Sequence, residues 1–180
     1  MWQIFEHRRV DKQCAAVPQE ILKRYEKWKD IAAISGPLGL RRIAGFHDET
    51  LAAAWRGHRS SRLGAQYGVI YRVLPDELTF QVMPITAHDY RRSWMREFRP
   101  AKKRAEVSVG ESVRILRELQ GLSQNQLAEL SGVPQAALSA IENDRVRLGV
   151  ERAKVLARAL RCHPAVLVFP GWEVPVETAA

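Results

Sequence analysis

At 180 residues, 46% of them hydrophobic, the chain has apolar material for two small packed cores. No apolar run approaches the roughly 18 residues needed to span a bilayer. The opening MWQIFEHRRV lacks an apolar signal core, so a cytoplasmic location away from membranes is expected. Cys14 and Cys162 are too few and too far apart for a disulfide framework or a metal cluster, which fits a reducing compartment.

The net charge of +8 is unevenly placed. Residues 1–92 hold 15 Lys/Arg against 10 Asp/Glu, residues 93–109 hold 5 against 2, and residues 110–180 hold 8 against 8. A polyanion, most naturally nucleic acid, is the expected partner of the first half. A solvated basic surface explains the same counts.

In chain order, residues 2–5 read as a strand and 10–16 as a short helix. Pro18 opens a longer helix with Ile21, Leu22, Tyr25, Trp28, Ile31 and Ala32 on one stripe, and Gly36-Pro37 is expected to end it. Three strands follow, over 54–63, 67–74 and 78–85, with Pro75-Asp76-Glu77 as a turn. Two helices and an antiparallel meander make an α+β domain, 1–92. Residues 91–109 (RRSWMREFRPAKKRAEVSV) are basic and aperiodic, so 93–109 is expected to be a linker with at most a short helix or strand. Met95 stands where a separate polypeptide could begin.

In the stretch WRGHRSSRL, alternation puts His58, Ser60 and Arg62 on one strand face and Arg59, Ser61 and Leu63 on the other. The last strand leads to His88, Asp89, Tyr90, Arg91 and Arg92. A meander can gather His58, Arg62 and 88–90. Imidazole, guanidinium and phenol suit phosphodiester cleavage, supplying proton transfer near neutral pH and a cation for the crowded phosphorus centre. With no acidic cluster for a metal and no cofactor motif, the substrate's own 2′-hydroxyl would be the nucleophile, restricting such an enzyme to RNA. Other roles fit the same residues: His47 and His58 suit ordinary packing, 88–90 suits a turn, and Trp55, Tyr67 and Tyr71 suit a sheet core.

The second half is more explicit. Val113, Leu116 and Leu119 share a helix face within 110–120. In 122–145, LSQNQLAELSGVPQAALSAIENDR, Ser123 and Gln126 form a capping box, with Leu127, Ala128 and Leu130 as the helix's inner side. Gly132 ends that helix in a left-handed conformation, Pro134 starts the next, and Leu138 and Ile141 face inward. Helices over 151–161 and 163–169 complete an all-α helix-turn-helix domain, 110–180. The tail GWEVPVETAA has no assigned role.

The SQxxLAxxSGV…LSxIENxR pattern resembles the lambda-repressor-like helix-turn-helix family over 110–169. The resemblance implies that the third helix enters the major groove of operator DNA as part of a homodimer. It implies that Gln124 holds a phosphate, that Gln135 and Ser139 approach bases, and that Asn143 and Arg145 lie near the backbone. Ala136, Ala137 and Ala140 offer only methyl contacts, so a protein-binding module is the competing reading.

Within 1–92, HRSSRL…QYxVIYRV…ITxHDYRR, after KRYEKWKDI and GFHDE, resembles the RelE/HigB-like toxins. These are small metal-independent endoribonucleases that cut mRNA on the ribosome. The resemblance places His58 and Arg62 on a catalytic sheet face, His88 as general acid/base, Tyr90 against the nucleotide, and Asp89 orienting a histidine. The family's arginine after the tyrosine of QYxVIYRV is Gly68 here, and loss of such a cation costs about a hundredfold or more. Residues 95–180 resemble a HigA-like antitoxin, and toxin-first order matches HigB-type loci. The resemblances together imply a toxin–antitoxin fusion whose second half restrains an mRNA endoribonuclease and autorepresses at operator DNA. The alternatives are a DNA-binding regulator carrying an inert toxin remnant, and an RNA-binding module without cleavage.

Overall fold

A computed structural model describes residues 1–83 and 98–172. Among the described residues the first half is a six-stranded sheet with helices on one face. Its strands are β1 (Gln3–His7), β2 (Glu49–Thr50), β3 (Arg59–Arg62), β4 (Gly68–Leu74), β5 (Thr79–Met83) and β6 (Phe98–Pro100), in spatial order β2-β3-β4-β5-β1-β6. The meander β3-β4-β5 is antiparallel as expected. β1 joins it parallel to β5: the two helices after β1 carry the chain to the far edge at β2, and the meander returns it to lie beside β1. The sheet is therefore mixed.

α1 (Val10–Cys14) is short, and α2 (Gln19–Arg41) covers the sheet. Trp28 sits 5.0 Å from Tyr71 and 5.8 Å from Phe80, ring centre to ring centre, in edge-on contacts. Gly36 and Pro37 end the first helical run of α2 as expected, and a second run follows across a sharp kink. Gly36 takes a non-helical φ of 63°, and Pro37, whose missing N–H costs little at a helix start, lets the chain resume to Arg41. The Trp2 indole packs where a Gly36 Cβ would stand.

The strand expected over 54–63 is shorter. Residues 53–55 form a 3₁₀ turn, Gly57 takes φ 87°, and pairing begins only at Arg59. The expected linker is largely built into the first half. β6 pairs with β1, the Ala101 amide donates to the Ile4 carbonyl at 2.8 Å, and Lys29 donates to the Lys102 carbonyl at 2.6 Å. Arg104 reaches back to Glu6 and Asp11, while Tyr25 donates its hydroxyl to Glu6 at 2.8 Å.

The second half comprises α3 (Val109–Leu119), α4 (Gln124–Ser131), α5 (Gln135–Glu142), α6 (Val150–Ala159) and α7 (Pro164–Val168). Ser123 and Gln126 form the expected capping box, and Gly132 ends α4 at φ 71°. A second box, Ser108 with Glu111, starts α3. Gly110 lets α3 and α5 approach closely, since a Cβ there would collide with the Ile141 carbonyl. Leu127, Leu138 and Ile141 are buried and Ala128 is half-buried, but Leu130 is 63% exposed and is no part of the inner side. It falls three residues after Leu127 on a short helix whose inward face is already filled.

One apolar core runs through both halves. The side of α2 away from the sheet meets α3 and α7. Lys27 is fully buried there, with its ammonium 2.6 Å from Asp30 and 2.7 Å from the Val166 carbonyl. Burial pushes the Lys27 pKa down, and Asp30 opposes that shift. Lys23 pairs with Glu111, and Arg24 with Glu118 at 3.2 Å. Gly45 abuts the Leu119 carbonyl so closely that any Cβ would collide with it.

Candidate nucleic-acid interface

Two exposed polar surfaces are candidates. The first is the start of α5 with the adjoining end of α4. Pro134 holds the chain extended (φ −55°, ψ 140°) just before α5, leaving Gln135 at the exposed tip. Gln135 donates to the Gln124 amide oxygen at 2.6 Å, and Gln124 donates to Glu142 at 2.9 Å. Glu142 is buried, and its two oxygens accept from Arg117 Nε at 2.6 Å and Nη2 at 2.9 Å. This two-point pairing helps push the Arg117 guanidinium pKa up. Arg117 also donates to the Leu122 carbonyl at 2.8 Å, fixing the turn between α3 and α4. Four side chains from three helices thus form one hydrogen-bonded row that ends at solvent.

Of the other expected residues here, Ser139 is half-buried, while Asn143 is exposed and donates to the Ser139 carbonyl at 2.7 Å. Arg145 is exposed just past α5. Arg117, Glu142 and Asp144 were not anticipated from the sequence. Asp144 accepts from the Gly110 amide at 2.9 Å and from the Ser108 hydroxyl at 2.5 Å, tying the end of α5 to the start of α3. No local signal marked Glu142: it sits about 100° round the helix from the inward-facing Ile141, and its partner Arg117 comes from another helix.

The second surface is the sheet face away from α2. Arg62 is the cross-strand partner of Gly68, and Arg72 lies four residues further along β4, about 13 Å away on the same face; all three are exposed. A Gly68 Cβ would meet only the Ser61 carbonyl, at 3.2 Å. His58 precedes β3 instead of sharing its alternation. Its ring stands edge-on to Trp55 at 5.3 Å, and its Nδ1 is buried without a hydrogen-bond partner. Four residues of extended chain put His58 and Arg62 about 13 Å apart along the strand direction. His88, Asp89 and Tyr90 lie outside the described residues.

The firmest polar cluster of the sheet half lies on β3 and β4 toward α2. Asp48 accepts from Arg59 Nε and from Ser61, each at 2.8 Å, and from the Tyr71 hydroxyl. Burial and the Asp48 charge push the Tyr71 pKa up, which suits a structural hydroxyl. Among the described residues no cluster of His, Cys, Asp and Glu is placed to hold a metal, and no helix is long and apolar enough to cross a membrane.

The helix-turn-helix family matches residues 113–167. Residues 113–167 are a lambda-repressor-like helix-turn-helix domain. Solved structures similar to this part include the P22 c2 repressor protein in complex with a synthetic operator, at 28% identity over 36% of this chain and 98% of that one, with a TM-score of 0.35. Another is the restriction-modification controller protein C.AhdI from Aeromonas hydrophila, at 34% identity over 34% of this chain and 92% of that one, with a TM-score of 0.33. No curated protein matches the chain.

Proposed function

We propose that the chain is a DNA-binding transcriptional regulator that reads an operator through α5 as a homodimer, its RelE-like first half serving as a fixed partner of the reading domain. The observation that carries this is the row Gln135–Gln124–Glu142–Arg117, which holds the exposed Gln135 amide and the half-buried Gln124 amide in place before any ligand arrives. Glutamine matches the adenine N6/N7 edge, and a reader with locked side chains loses little entropy on binding. Gln124 contacts phosphate and Gln135 the base edge, with Ser139 beside it. Asn143 and Arg145 lie toward the backbone. The test is selection of duplexes from a random pool by the full chain. Two half-sites with centres about 10 base pairs apart, or a multiple, are expected. No enrichment, with equal binding to every duplex, would overturn the reading.

The second reading is the toxin–antitoxin fusion, in which the sheet face cuts mRNA on the ribosome and the HigA-like half restrains it. The exposed pair Arg62 and Arg72 favours a phosphate-bearing partner on that face. Two observations weigh against an active nuclease restrained by the second half. Gly68 stands where the family's cation would be, and the second half docks through α2 and residues 44–46, leaving Arg62, Gly68 and Arg72 exposed. Mapping of mRNA 5′ ends in cells expressing the full chain, beside its Gly68→Arg variant, separates the readings. New cut sites with the unaltered chain would restore the fusion.

A further inference from the structure

α3 faces two ways. One side holds the reading surface: Arg117 grips Glu142 on α5 and the Leu122 carbonyl at the entrance to α4. Its last turn is gripped in return by the first half. The Gln120 amide group donates to the Arg42 carbonyl at 3.1 Å and to the Leu160 carbonyl at 2.8 Å, and accepts from the Ala44 amide at 3.1 Å. The Leu119 carbonyl lies against Gly45. Glu111 and Glu118 pair with Lys23 and Arg24 of α2. Only three positions separate Arg117, which sets α5, from Gln120, which is set by residues 42–44.

We propose that the first half is a positioning partner for DNA reading: through Gln120 and Gly45 it fixes the last turn of α3, and that turn fixes α5. This rests on the DNA-reading function proposed above. The physical ground is that, besides the apolar packing of Leu138 and Ile141 and the links to Gln124, the charged ties of α5 and of the turn after it both run to α3 or its cap. Arg117 makes the first tie and Asp144 the second. A shift of the α3 terminus therefore moves the Gln124–Gln135 pair, and a base contact tolerates little displacement before its two-point geometry fails. Gln120 lies outside α4 and α5, so its effect is indirect.

The variant is Gln120→Ala in the full chain, which removes all three bonds and no charge. Gln120→Glu, which keeps the acceptor for Ala44 and loses both donors, is measured beside it. Two readouts are taken on protein shown to be folded by its thermal transition. The first is amide hydrogen exchange without DNA, comparing α5 with β4. The second is the dissociation constant for the duplex that the unaltered chain enriches from a random pool, across a salt series. The expected result for Gln120→Ala is faster exchange in α5 with β4 unchanged, and binding weaker by about 5- to 150-fold at an unchanged salt slope, since the displaced pair is uncharged and no cation leaves a phosphate. Gln120→Glu, which sets a carboxylate oxygen against the Arg42 and Leu160 carbonyls, should weaken binding at least as much. Unchanged α5 exchange in a folded Gln120→Ala chain would overturn the proposal, as would binding within about twofold of the parent. If the unaltered chain enriches no duplex, the DNA reading fails by itself, and the exchange comparison still decides whether the first half holds α5.

Discussion

On the helix-turn-helix side, Gln135, Gln124, Glu142 and Arg117 hold one another in a row whose inner end is buried. On the open sheet face, Arg62 stands exposed opposite Gly68 with Arg72 exposed four residues along β4, and the sheet's well-held polar cluster, Asp48 with Arg59, Ser61 and Tyr71, faces the other way. The contrast separates a surface built for discrimination from one with charge alone. Discrimination needs donors and acceptors fixed in advance, because each loose side chain that must be ordered subtracts from binding. Charge alone gives affinity for phosphate without sequence preference.

The largest expected effect tests whether the two surfaces share one folding unit. Lys27→Ala leaves Asp30 and the Val166 carbonyl without their buried cation and should cost about 3–5 kcal/mol in denaturant unfolding. A loss below about 1 kcal/mol would mean that the halves are not held as described. Next, Arg117→Ala leaves the Glu142 carboxylate buried without its cation. A loss of about 1–3 kcal/mol or somewhat more is expected, together with weaker DNA binding. Tyr71→Phe removes a single bond to Asp48 and should cost about 1 kcal/mol, with DNA binding unchanged.

A smaller effect appears in alkali. Burial pushes the Tyr25 and Tyr71 pKa values up, Glu6 adding to the first shift and Asp48 to the second. A folded pKa above the unfolded value of about 10 means that the neutral phenol's contribution is complete below pH 10 and is lost as pH rises beyond it. Stability should therefore decline above pH 10, with the two buried tyrosines ionising later than an exposed one in an ultraviolet titration. Simultaneous ionisation of every tyrosine near pH 10 in still-folded protein would contradict their burial.

The helix-turn-helix was legible because its signals are local. A capping box, a glycine end, a proline start and an apolar stripe each act within a few residues, and Ser123, Gln126, Gly132, Leu138 and Ile141 sit where those rules put them. The sheet half was legible as α+β but not as a mixed sheet, because the pairing of β1 with β5 joins residues more than seventy positions apart. No local pattern records such a pairing. The break at Gly36 was legible because a glycine-proline pair stops a helix; the second run beyond it was not, because it forms where the chain has somewhere to pack, with Leu40 fully buried. The role of Arg104 was invisible for the same reason: its partners Glu6 and Asp11 come from the far end of the sequence. Gln120 reads as an ordinary helix end until residues 42–44 are brought beside it.

The central claim is that nucleic acid is read through α5 and not through the sheet face. The most direct test is the affinity ratio between a selected duplex and a scrambled one at fixed salt. It is measured for the full chain, for Gln135→Ala and for the double variant Arg62→Glu/Arg72→Glu. The account predicts that Gln135→Ala lowers discrimination by about 1–3 kcal/mol, while the double variant leaves the ratio unchanged. A ratio indifferent to Gln135 but lost with Arg62 and Arg72 would contradict it and place recognition on the sheet.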